Sequence, residues 1–82
     1  MAESLVIRTS KAIKHFRKIN NFSQEQLAEK ANLDRTYISG IERGKRNITL
    51  DSLDKIIVAL DIDKETFFHY VLQEATDGIL DK

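Results

Sequence analysis

The side chains best suited to reading another molecule open one short segment: Arg35, Thr36, Tyr37 and, one turn on, Ser39. Arg35 carries a planar fork of donors that matches O6 and N7 of guanine. Thr36 offers a methyl to thymine or a hydroxyl to a phosphate. Tyr37 brings a phenol for a phosphate and a ring for a base edge. Ser39 adds a hydroxyl on the side of Arg35. The run Arg43-Gly44-Lys45-Arg46-Asn47 follows as a basic loop. Arg46 and Asn47 are placed there for base or phosphate contact, and Arg43 and Lys45 add charge. Upstream, Gln24 opens a helix whose free amides suit a DNA phosphate.

Other chemistries find no footing. There is no Cys, which excludes disulfides and thiolate metal sites. His15 and His69 each lack a second ligand at helical spacing, so no metal is expected. No paired carboxylates, nucleophile–base motif or phosphate-binding Gly loop occurs, and Ser39-Gly40-Ile41 lacks the leading Gly of a nucleophile elbow. The expectation is a protein that is not an enzyme and needs no cofactor. No apolar run approaches the roughly 20 residues of a membrane span. Met1-Ala2-Glu3-Ser4 lacks signal-peptide character, so a cytoplasmic bacterial protein is expected.

The net charge of zero hides a division. Residues 1–47 hold ten cations against five anions, and residues 48–82 hold three against eight. A chain with one basic and one acidic end suits a protein that turns one face to a polyanion.

These side chains need a scaffold. The 82 residues are expected to form one domain, 1–82. Apolar spacings of three and four dominate, Pro is absent, and no stretch alternates as a strand does. An all-α fold of five helices follows. The first helix spans about residues 4–20, with Leu5, Ala12, Ile13, Phe16 and Ile19 on one face, and ends at Asn20-Asn21. The second begins after Ser23, where Gln26 completes a capping box and Phe22 staples to Leu27. Asn32 marks a turn, and Asp34 caps a third helix of about 35–43 that stops at Gly44. Thr49 caps a fourth, about 50–60, with Leu50, Leu53, Ile56, Ile57 and Leu60 inward. Asp63 caps a fifth, about 64–76, with Phe67, Phe68, Val71, Leu72 and Ala75 as its apolar residues. The tail from Asp77 is expected to fray, with Ile79 and Leu80 free to dock.

The second and third helices form a helix-turn-helix, whose second helix enters the major groove of DNA. Glu42 lies away from the groove by rotation, and an Arg17–Glu42 ion pair would tie the first helix to the third. Gly40, inside the third helix, points to close approach by another helix, the alternative being a tolerated poor helix former. One such unit reads only a few base pairs, so a two-fold dimer spanning half-sites roughly 34 Å apart is expected. Ile62, Phe67, Phe68 and Leu72 are the candidate dimer interface, on the fifth helix with part of the fourth, the alternative being that all of them serve the core of one chain.

The stretch from Gln24 to Arg43 resembles the helix-turn-helix family of the lambda and 434 repressors and Cro. Arg17 and Glu42 stand where that family pairs an Arg with a Glu. The run from Asn32 to Arg43, followed by Arg46-Asn47, resembles the controller proteins of bacterial restriction–modification systems. That resemblance implies a small homodimer that binds palindromic operators in double-stranded DNA, activating and repressing transcription. It assigns DNA contact to Arg35, Thr36, Tyr37, Ser39 and Arg46. RNA polymerase is then a further partner, with Glu25 and Glu29 as candidate contacts. Two alternatives share the fold: a phage-type repressor, and a helical protein-interaction or antitoxin-like module.

Overall fold

Short polar caps and left-handed closures divide the chain into helices. The computed structural model describes residues 4–80, with side chains to Gln73. Within it lie α1 (Leu5–Ile19), α2 (Gln24–Ala31), α3 (Arg35–Glu42), α4 (Leu50–Ala59) and α5 (Lys64–Leu80). No helix among the described residues is long and apolar enough to cross a membrane.

Four of the five starts are capped by a side chain. The Ser4 hydroxyl accepts from the Ile7 amide at 3.2 Å and Thr49 from Ser52 at 3.1 Å. Ser23 accepts from the Gln26 amide at 3.0 Å, while Gln26 Oε1 accepts from the Ser23 amide at 2.8 Å, completing the box. Asp63 accepts from the Thr66 amide at 2.7 Å. The Thr66 hydroxyl and that amide hold the Asp63 carboxyl below its ordinary range. This support is present above the ordinary carboxylate pKa and fades as pH falls through the lowered one. Asp34 differs from expectation. It holds the N-cap position of α3 but makes no side-chain cap bond. The turn before α3 is held by backbone instead.

That backbone device occurs three times with a paired set of bonds, and Asp61, at φ 59°, closes α4 with a single bond to Val58 O at 3.0 Å. Leu33 N–H bonds Ala28 O at 2.8 Å and Asn32 N–H bonds Glu29 O at 3.2 Å, with Asn32 left-handed at φ 58°. Phe22 and Asn21 close α1 onto Arg17 and Lys18 in the same way, with Asn21 at φ 60°. Lys45 and Gly44 close α3 onto Gly40 and Ile41, with Gly44 at φ 71°. Each of the three is a Schellman closure, which satisfies helix-end carbonyls through one left-handed residue. Asn20 adds a cross-tie, its amide donating to Leu60 O at 2.8 Å to join the ends of α1 and α4.

The core takes the inner stripe of every helix: Ala12 and Ile13; Leu27, Ala28 and Ala31; Ile38 and Ile41; Leu53, Ile56, Ile57 and Leu60; Phe67 and Val71. The aromatic rings of Phe16, Phe67 and Tyr70 join α1 to α5, and His15 stacks on Tyr70 at 4.3 Å. Leu5, Ile19 and Leu50 are corrections: all are exposed, Leu50 at 83%. Each is the first or last residue of its helix, where the stripe runs beyond its neighbours. Thr9 and Ser10 are buried in their place on α1, and the Ser10 hydroxyl bonds Val6 O at 2.8 Å. Helix α5 continues to Leu80, past the expected end near 76, because a lone Gly78 weakens a helix without ending it. The inward placement of Ala75 and the docking of Ile79 and Leu80 lie outside the described side chains.

One buried ion pair sets the orientation of α3. Arg17 Nε donates to Glu42 Oε2 at 2.7 Å and a terminal nitrogen donates to Oε1 at 3.0 Å. The other terminal nitrogen donates to Phe22 O at 2.8 Å. Gln24 Nε2 donates to Glu42 Oε1 at 3.1 Å. The Glu42 side chain is 2% exposed and that of Arg17 11%. A charge so enclosed needs all its partners. Glu42→Ala is expected to destabilise the fold by about 3–5 kcal/mol, measured by urea unfolding. A midpoint equal to wild type would show that the pair does not hold the bundle together.

Candidate nucleic-acid interface

Helix α3 presents its first turn to solvent because its apolar residues are confined to the opposite stripe. Ile38 and Ile41 are buried, and Leu33 packs half-buried against the core just before the helix. Rotation then leaves Arg35 and Thr36 exposed, with Tyr37 and Ser39 half-buried at the margin. Arg43 caps the far end, and Lys45, Arg46 and Asn47 are exposed beyond it. The basic loop is turned back by the left-handed Gly44, where a side chain would strike Ile7 of α1: its Cβ would lie 2.7 Å from Ile7 Cδ1.

The loop folds against α3. The Arg46 guanidinium carbon sits 5.5 Å from the centroid of the Tyr37 ring, a cation–π arrangement. Thr36, Tyr37 and Arg46 line a shallow open cleft with Leu33, Asp34 and Ser52. This cleft sits between the start of α3, the basic loop and the first turn of α4. An arginine fork, two hydroxyls and a phenol at one rim suit hydrogen bonding to phosphates and base edges. Among the described residues, no cluster of three metal-ligating side chains occurs.

Two expectations change here. Gln24 was placed against a phosphate, but its amide nitrogen donates inward to Glu42. A buried carboxylate draws in the nearest donor, and the start of α2 is that donor's position. Gly40 was expected to admit another helix, but what approaches it is the stem of Arg46, whose Cγ would lie 3.0 Å from a Cβ at residue 40. The place of Leu33 and Ser52 in the cleft, and the stacking of Arg46 on Tyr37, are not evident from the sequence. The bare position at Gly40 was the signal for the last.

The four residues proposed for a dimer interface divide. Phe67 is fully buried in the protomer's own core, and Ile62 packs half-buried against it. Phe68, 38% exposed, and Leu72, 60% exposed, lie on the surface. The helical repeat explains this: Phe67 and Val71, four apart, face inward, and Phe68 and Leu72 follow about 100° round the helix. Phe68 lines an apolar groove with Leu50, Leu53 and Ile57 of α4, bordered by the Lys64–Asp54 ion pair at 2.9 Å.

A helix-turn-helix family model matches residues 13–67 of the chain. The chain is 47% identical over 51 residues to the control protein C.BamHI of Bacillus amyloliquefaciens, covering 62% of this chain and 63% of that protein. It is 42% identical over 69 residues to the control protein C.MunI of a Mycoplasma species, covering 83% of this chain and 93% of that one. Among solved structures it superposes on the restriction–modification controller protein C.Esp1396I, a tetramer in complex with its natural 35-base-pair operator. The TM-score is 0.86 at 45% identity, over 90% of this chain and 99% of that one. The matched segment thus spans less than two thirds of C.BamHI and nearly all of the other two.

Proposed function

This chain belongs to the helix-turn-helix family and, within it, to the restriction–modification controller proteins, and on that premise we propose that it is a sequence-specific DNA-binding regulator of transcription. It acts without catalysis, in the bacterial cytoplasm, as a homodimer on a palindromic operator, activating and repressing the genes of a restriction–modification system. The observation that carries this reading is the exposed first turn of α3, which holds Arg35 and Thr36, together with an Arg46 braced on Tyr37. Arg35 is the base reader. Thr36, Tyr37, Ser39 and Asn47 supplement it, and Arg43 and Lys45 neutralise phosphates.

Dimerisation uses the outward pair Phe68 and Leu72 with the groove beside α4. Burying side chains of this size contributes roughly 1.5–3 kcal/mol each. The acidic half of the chain carries this surface, which keeps the dimer end away from phosphate. Glu25 and Glu29, exposed and one turn apart on α2, are the offered contact for RNA polymerase.

Selection of a bound site from random duplexes tests the central claim, and an inability to enrich any sequence would remove it. With the selected site, Arg35→Ala is expected to lose about 1–3 kcal/mol of specific affinity with relaxed base choice. Equal loss on random DNA would assign Arg35 to the backbone only. Log affinity should fall against log salt with a slope of about −0.9 per phosphate neutralised. A flat response in anisotropy titrations would contradict a phosphate-facing surface. Phe68→Ala with Leu72→Ala is expected to sediment as a folded monomer with weak operator binding. A persistent dimer would place the interface elsewhere.

A further inference from the structure

Helix α3 holds its one glycine at a place where almost any other residue would make a better helix. Gly40 is buried, and what covers it is Arg46. A Cβ at residue 40 would meet Arg46 Cγ at 3.0 Å, with Cδ and Nε at 3.5 Å. The backbone fixes this crossing, because Lys45 N–H bonds Gly40 O at 2.9 Å in the closure of α3. The next residue's stem therefore lies across the bare Cα. Three residues earlier on the same side of α3, the Tyr37 ring receives the guanidinium at 5.5 Å.

We propose that Gly40 is a positioning residue for nucleic-acid reading. Its missing side chain is the seat that holds the Arg46 stem, and seat and Tyr37 ring together aim the guanidinium at the rim of the cleft before DNA arrives. The inference rests on the reading of this face as the DNA interface. Arginine has a long stem with many rotamers, and fixing it in advance lowers the ordering cost of binding. An alanine at residue 40 meets no fixed backbone of the loop, only the middle of an exposed side chain. The stem moves aside, the guanidinium leaves the ring, and the helix is kept or improved. The substitution thus favours the fold and weakens binding.

The test uses Gly40→Ala, Arg46→Ala and the double variant, with a duplex selected by the wild-type protein as probe. For Gly40→Ala, the melting temperature is expected to be unchanged or a few degrees higher. Affinity should fall about three- to tenfold. In the Arg46→Ala background the same substitution should change affinity by less than about twofold. In the DNA-free protein, the Arg46 side-chain protons should carry an upfield ring-current shift from Tyr37 that Gly40→Ala abolishes. Wild-type affinity for Gly40→Ala, an equal loss in both backgrounds, or a retained ring-current shift would each overturn the proposal. If the shift disappears as expected but the wild-type protein selects no DNA sequence, the nucleic-acid reading fails and the positioning role with it, while the seat itself stands.

Discussion

A carboxylate buried at the end of α3 governs this molecule. Glu42 is removed from water, and its oxygens are met by Arg17 from α1 and Gln24 from α2, while Arg17 also holds the carbonyl of Phe22. The exchange of water for three directed donors is favourable only when all arrive together. Three helices and one loop are therefore placed relative to each other by a single charge. The first turn of α3 inherits its tilt from that arrangement together with the backbone closure at Asn32 and the apolar contacts of Ile38 and Leu33. Apolar packing alone tolerates sliding, whereas a bidentate pair does not.

Much of this was legible in the residues. Ser23 with Gln26, Thr49 and Asp63 announce helix starts because a free amide needs an oxygen at a fixed offset. Asn32 announces a left-handed residue because few side chains tolerate one. The exposed first turn of α3 was legible because its apolar residues occupy one stripe. What was not legible depends on rotation and on ends. Phe67 and Phe68 are neighbours of one type, and only the phase of α5 decides which enters the core. Leu5, Ile19 and Leu50 obey the helical repeat but lie where nothing covers them. Asp34 has the right identity for a cap, yet the backbone closure of α2 already fixes the turn. Gln24 depends on a partner eighteen positions away, which local spacing does not reveal. Gly40 signalled a close approach, but a neighbouring loop was as able to fill the space as a helix.

The division of charge takes on a spatial meaning once the helices are placed. Four exposed cations, Arg35, Arg43, Lys45 and Arg46, belong to α3 and the loop that returns over it, and Lys11, Lys14, Lys18 and Lys30 are exposed on α1 and α2. Phe68 and Leu72 stand on α5, amid the acidic half of the chain. A polyanion and a second copy of the chain would therefore be met by different elements. The roles proposed for the two surfaces do not compete for the same side chains.

Three of the left-handed closures, at Asn21, Asn32 and Gly44, carry a kinetic implication. Each locks a helix end with main-chain bonds, so the joints flanking α3, the helix proposed to read DNA, have few alternative shapes to sample. A head already set in its working form meets its target without a folding step. Capture is then paced by diffusion and by the pull of opposite charge, and ionic strength, rather than chain rearrangement, becomes the throttle on how quickly it arrives.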